Sequence, residues 1–175
     1  MKGAERLAAV EVSTPSMARA LPELPMTQTV MVRLLRIAVA GMSDCFEPVF
    51  RTLGLAENSF HILCLLVAAE GGSASPSELS DLVGTSRANI TRLLDVLVAE
   101  GLVFRRTAER DARRQVVTIT TQGRVRCRDT AEQIDIPLRA AFGQLDDQEL
   151  STLARLLRKA VTSFDVATVP ARAFF

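Results

Sequence analysis

The chain has no tryptophan and no tyrosine, a single histidine (His61) and three cysteines (Cys45, Cys64 and Cys127) among 175 residues. Each shortage removes a class of chemistry. One histidine among scattered cysteines gives no metal-ligand spacing. There is no glycine-rich phosphate loop, no Gly-x-Ser-x-Gly elbow and no pair of carboxylates beside a histidine. Neither an enzyme nor a bound metal or cofactor is therefore expected. Three cysteines cannot all pair within one chain and none sits in a Cys-x-x-Cys spacing, so reduced thiols in a cytosol are expected. The longest apolar stretch, Ile62 to Ala69, is far too short to span a bilayer. Glu5, Arg6, Glu11 and Arg19 interrupt the apolar run an export signal would need. These features predict a cytoplasmic chain with no membrane partner.

What is present is a globular composition, 48% hydrophobic and 23% charged. The formal net charge of +1 hides an uneven distribution. Between Arg105 and Arg128 lie eight arginines (Arg105, Arg106, Arg110, Arg113, Arg114, Arg124, Arg126 and Arg128), against only Glu109 and Asp111. A basic stripe on a near-neutral chain is an electrostatic footprint for phosphate. A solvated helix face is the competing reading for Arg124, Arg126 and Arg128.

Residues 1–25, with prolines at 15, 22 and 25 and no sustained periodicity, read as a mobile arm or a short packing segment. From Met26 to Leu53 apolar residues recur at helical spacing, and Gly54 stops the run. Glu57 or Asn58 opens a second helix that ends at Gly71-Gly72-Ser73. Ser75-Pro76-Ser77-Glu78 then signals a helix start in three ways. Ser75 can cap, Pro76 suits the first helical position, and Glu78 can reach back as the capping-box partner. Leu79, Leu82 and Val83 give this short helix its apolar side. After the Gly84-Thr85 turn, a helix from Ser86 carries an apolar stripe of Ile90, Leu93, Leu94, Leu97 and Val98. Two helices about a tight turn are a helix-turn-helix.

Beyond Glu100-Gly101 the period becomes alternating. Leu102–Arg106 and Gln115–Thr120 read as paired strands around a charged loop from Thr107 to Arg114 that contains neither proline nor glycine. A hairpin directly after the second helix is a wing. The rest reads as helix, from Thr121 to about Ala141 with a bend near Pro137, and from Asp146 to Phe164 with capping-box spacing at Asp146 and Glu149. The expected fold is mainly α with a small β-hairpin wing. It comprises a winged helix-turn-helix domain over 57–120 and a helical dimerisation region over 26–56 and 121–175.

The run SPSELSDLVGTSRANITRLLDVLVAEGLVFRRTAERDARRQVVTITTQG, Ser75 to Gly123, resembles the winged helix of the MarR family of bacterial regulators. Its most telling parts are the wing Glu109-Arg110-Asp111-Ala112-Arg113-Arg114 and the Thr-x-x-Gly that opens the following helix. The flanking helices match in order and length, so the resemblance covers roughly 26–164. Pro76–Leu79 and Thr85–Arg92 are similar to the EmrR type of multidrug-efflux repressor. The resemblance implies a homodimer on a pseudo-palindromic double-stranded operator, acting as a repressor until an aromatic or phenolic ligand, or an oxidant, releases it.

On the reading helix, a 100° step sets Thr85, Ala88, Asn89 and Arg92 opposite the apolar stripe. Asn89 can make a bidentate contact with adenine and Arg92 with guanine. Thr85, Ser86 and the helix N-terminus suit a phosphate. Arg87 falls nearer the buried margin, with a stem long enough to escape it. The DNA-binding set is completed by Thr91 and by the wing arginines Arg110, Arg113 and Arg114. By the resemblance, Asp111 orients Arg113.

The effector is expected in a pocket between the first two helices, the start of the helix after the wing and the winged domain. Its candidate lining is Met42, Cys45, Phe46, Phe50, Phe60, His61 and Cys64. Thr91 and Arg105 match positions near an aromatic-acid site in some family members. Without tyrosine or tryptophan, a phenol hydroxyl would have to bond to Arg, Thr or His. Two alternatives stand beside this reading, a cysteine-based redox-sensing repressor and a winged-helix protein-interaction module that does not bind DNA. Peroxide-sensing family members place their cysteine near Met31, where this chain has none, and Cys45 and Cys64 lack basic neighbours in sequence.

Overall fold

The computed structural model describes residues 3–108 and 111–166, with side chains described for all of these except 108 and 111–114. Seven α-helices and three short strands occur among them: α1 (Gly3–Ala20), α2 (Met26–Thr52), α3 (Glu57–Ala68), β1 (Ser73–Ala74), α4 (Pro76–Val83), α5 (Arg87–Ala99), β2 (Val103–Ala108), β3 (Asp111–Ile119), α6 (Thr121–Ala141) and α7 (Asp147–Val166). The mainly helical fold with a β wing is the expected one. No helix of the described residues is long and apolar enough to cross a membrane.

Of the two readings of the N-terminal segment, the packing segment is the one observed, because α1 is a helix packed along α2 rather than a mobile arm. Its periodicity is weak because polar contacts hold it. Arg6 pairs with Asp44 of α2 at 3.0 Å, and Arg33 of α2 donates to Ser13 Oγ at 2.7 Å. Val10 is the one side chain that α1 buries. Pro15 removes a helical N–H, and nearby Ser13 and Thr14 turn their hydroxyls back to the carbonyls of Ala9 and Val10, each at 2.6 Å.

The core that supports the reading helix is built from α3, α4, α5 and the sheet. Leu63, Leu66, Leu79, Leu94, Leu97 and Val117 are fully enclosed there. On α5 the stripe stops at Leu97. Val98, expected inside, is 40% exposed, since at eight residues from Ile90 it is rotated by about 80° at the helical step. Leu82 is likewise exposed, at 67%. With only eight residues, α4 buries Leu79 and Ser80, and Ser80 Oγ donates to the Thr85 carbonyl at 2.7 Å, pinning the turn.

The sheet has the order β1-β3-β2, all antiparallel. β1 has no sequence signal, because two residues are too few to display a period. It is joined to β3 by Ser73↔Thr118 pairing and a 2.8 Å contact between the two hydroxyls. The charged stretch read as a loop from Thr107 to Arg114 is mostly strand. Pairing continues through Thr107↔Gln115 and, after a register shift, Ala108↔Asp111. Nothing in that stretch breaks a strand, so the ladder runs on.

The described residues up to Pro137 form one compact unit and those from Leu138 onward a second. In the second, α7 opens on a reciprocal cap between Asp146 and Glu149, at 2.9 and 2.8 Å.

Candidate nucleic-acid interface

The presentation of α5 begins one helix earlier. Ser75 Oγ accepts from the Glu78 N–H at 3.3 Å, while a Glu78 carboxylate oxygen accepts from the Ser75 N–H at 2.7 Å. With Pro76 in the first turn, this capping box fixes where α4 starts. Gly84, at φ 70, ends α4 in the left-handed conformation that only glycine adopts without strain. Ser86 then caps α5 by accepting from the Asn89 N–H at 3.2 Å.

The outer face of α5 carries a connected polar row. Asn89 Nδ2 donates to Thr85 Oγ1 at 2.9 Å, and Arg92 Nη2 donates to Asn89 Oδ1 at 3.0 Å. Ser86, Arg87, Thr91 and Arg92 are exposed, and Thr85 and Asn89 are half-buried. Arg87, expected near the buried margin, lies in the open. Thr91 Oγ1 donates to the Arg87 carbonyl at 3.0 Å, so its hydroxyl is already engaged. The row Thr85–Asn89–Arg92 thus holds two planar groups in register on a convex surface, the geometry needed to meet base edges in a major groove.

Arg105 of β2 ties the sheet to this helix. Its Nη1 pairs with Asp95 at 2.8 Å and its Nη2 donates to the Thr91 carbonyl at 3.1 Å. Its Nε is buried, with no partner among the described residues. Sequence reasoning assigned Arg105 to an effector site and missed this bracing role, because Asp95 and Thr91 approach it only once β2 folds back along α5.

The sequence pattern of the MarR family matches residues 53–114, from the end of the α2 turn into β3. The HTH-type transcriptional repressor YetL of Bacillus subtilis is 32% identical over 116 residues, spanning 66% of this chain and 70% of YetL. The chain belongs to the MarR family. A second relative, the transcriptional repressor MprA of Escherichia coli, is 27% identical over 143 residues, 82% of this chain and 81% of MprA. Among solved structures, a mutant MarR from E. coli complexed with operator DNA superposes with a TM-score of 0.68. It is 23% identical and covers 82% of this chain and 96% of that one, a likeness of fold. The relatives are transcriptional regulators rather than enzymes.

In this MarR-family chain, Arg110 lies outside the described residues, as do the side chains of Asp111, Arg113 and Arg114, whose backbone belongs to β3. Of the residues expected to line an effector pocket, Cys64 is half-buried against the core and six others divide into two groups. Phe46, Phe50 and Phe60 are core, with the rings of Phe50 and Phe60 5.7 Å apart. Met42, Cys45 and His61 are exposed. Phe50 also borders a recess of about 530 Å³ beside the α2–α3 turn. A second recess, of about 410 Å³, opens between the start of α4, α5 and β3, walled by Ser75, Pro76, Ser77, Arg87, Thr91 and Gln115. Of the expected effector residues it includes Thr91.

Two further features were not foreseen. Arg126 of α6, whose neighbours in sequence suggested a wet face, donates to the Leu53 carbonyl at the end of α2. It therefore fastens α6 to the α2–α3 turn. Cys64 and Cys127 face each other, sulfur to sulfur, at 3.7 Å. Burial, reinforced by Cys127, pushes the Cys64 thiol up to about 12, and burial raises Cys127 as well. Thiols held protonated in this way are poor nucleophiles toward peroxide.

Proposed function

We propose that two copies of this chain grip a pseudo-palindromic operator as a repressor, with α5 in the major groove, and that a small aromatic or phenolic acid weakens the grip. The observation that carries the reading is the hydrogen-bonded Thr85–Asn89–Arg92 row, half-buried at its first two members and exposed at Arg92, on a helix capped at both its own start and that of its predecessor. Asn and Arg are the side chains that read adenine and guanine bidentately, and a helix is the element that fits the groove. The operator complex of the MarR neighbour and the repressor names of YetL and MprA support the same reading. A protein-interaction module would have no need of this row.

Dimerisation is supported by apolar side chains left in the open. On α2 these include Met31, Val32 and Val39, and on α7 Leu153, Leu156, Leu157, Val161 and Phe164. The α7 residues recur at spacings of three and four, the stripe of a helix that packs on another. A second copy is the partner this reading assigns, with 26–56 and 121–175 as the dimerisation region and 57–120 as the DNA-binding domain.

The recess beside α5 suits an aromatic acid. Its volume of about 410 Å³ falls within the range of small-molecule sites. Arg87 offers a guanidinium to a carboxylate, and Pro76 supplies an apolar wall. An occupant there needs only to favour the DNA-incompetent arrangement over the competent one. Benzoate- and salicylate-like acids, titrated against operator complexes, are expected to raise the dissociation constant by about a hundredfold, or ~2.7 kcal/mol. The sedimentation mass should stay that of a dimer, with the same shift in reducing buffer. A monomer at micromolar concentration contradicts the dimer. Release by peroxide and by none of the acids contradicts the effector assignment.

A further inference from the structure

Cys64 on α3 and Cys127 on α6 stand apart from the DNA-reading surface, yet their sulfurs lie only 3.7 Å from each other. Cys127 is 6% exposed and Cys64 is the half-exposed member through which a ligand can enter. The sulfur separation selects the geometry of what can bind. A linear two-coordinate ion with bonds of about 2.3 Å would need sulfurs ~4.6 Å apart. With the same bond length, the observed span subtends about 107° at a shared atom, the angle of a pyramidal or tetrahedral centre. A closed tetrahedral site takes two more protein ligands, and an open one at least a third, yet among the described residues no group of three or more His, Cys, Asp or Glu can hold a metal ion. A pyramidal trivalent centre requires only the two sulfurs, because a carbon substituent and a lone pair fill its other positions.

We propose that Cys64 and Cys127 form a dithiol site for monosubstituted trivalent arsenicals. In the reaction R–As=O + 2 R′–SH → R–As(S–R′)₂ + H₂O, two S–H bonds and the As=O bond break and two As–S bonds form. The oxygen leaves as water with both thiol protons, arsenic remains trivalent, and no oxidant is consumed. Charge favours the same class. Both reactants and product are neutral, whereas a monovalent cation on two thiolates would leave a net negative charge against Leu63 and the rest of the core cluster. A disulfide would require an oxidant, whereas the arsenical condensation consumes none. The product would clasp α3 to α6.

Phenylarsine oxide is the probe, added in stoichiometric amount to the full chain with reductant removed and read by intact mass. Wild type is expected to gain one phenylarsenic unit that survives excess monothiol and is removed by a dithiol. The gain should disappear in Cys64→Ala and in Cys127→Ala and persist in Cys45→Ala. Because substitution of the buried Cys127 can disturb folding, proteolytic mapping of the wild-type adduct supplies the second readout, with one arsenic expected to join the peptides carrying Cys64 and Cys127. No adduct, an adduct washed off by monothiol, a resistant adduct in Cys64→Ala, or a map leading to Cys45 would each overturn the proposal. None of these readouts involves DNA, so the site stands or falls separately from the operator-binding reading.

Discussion

Arg92→Ala is expected to weaken operator binding by roughly 30-fold to 10⁴-fold per dimer, with relaxed base preference at one position of each half-site. The magnitude follows from ~1–3 kcal/mol for one bidentate base contact, counted in both half-sites. Arg92 is exposed, and its hydrogen bond in the structure goes to Asn89 Oδ1. Its loss removes no core contact, so the melting temperature should be nearly unchanged. Asn89 would lose an orienting donor while keeping its bond to Thr85. Anisotropy titrations of wild type and variant on the same labelled operator, with one scrambled competitor, separate affinity from selectivity. Unaltered affinity and selectivity would mean that α5 does not present this face to the bases.

Gly123→Ala is expected to destabilise the fold without touching the reading face, by about 3 kcal/mol or more, at the upper end for overpacking a close contact. For a chain of this size that corresponds to a fall of ~6–12 °C in melting temperature. A Cβ at this position would lie 2.1 Å from the Leu102 carbonyl oxygen and 2.8 Å from a side-chain carbon of Ile119. The nearer atom is backbone and cannot rotate aside. The same glycine donates its N–H to Thr120 Oγ1 at 2.9 Å, and that hydroxyl donates to the Gly101 carbonyl at 2.8 Å. The start of α6 is thereby fastened against the turn that ends α5. Thermal unfolding followed by circular dichroism reads the effect, and a melting temperature within a degree or two of wild type would show that the backbone yields more easily than this packing implies.

Residues whose role is local were the legible ones. The Ser75–Glu78 and Asp146–Glu149 capping boxes and the Gly84 turn act within four residues, so their chemistry is written in short motifs and the structure reproduces it. The row Thr85, Asn89 and Arg92 followed from the helical step once the apolar stripe was known. What escaped depends on distant partners. Arg105 braces α5 through Asp95, and Arg126 reaches back to Leu53 across 73 positions. The Cys64–Cys127 pair spans 63. Helix α1 escaped for another reason, since ion pairs and hydroxyl contacts hold it rather than an apolar stripe. Of the expected effector lining, Phe46, Phe50 and Phe60 help to close the core, while Phe50 also borders a recess beside the α2–α3 turn. A periodic apolar residue carries the same signal whether it lines a cavity or fills one.

The central claim is that two α5 helices read one operator, and a methylation-interference footprint on the DNA flanking the gene tests it most directly. The account predicts two major-groove patches on one face of the duplex, centred about 10–10.5 base pairs apart. It also predicts an affinity that falls steeply as salt rises. A folded, dimeric protein that yields no discrete interference at micromolar concentration, or only a single patch, would contradict it.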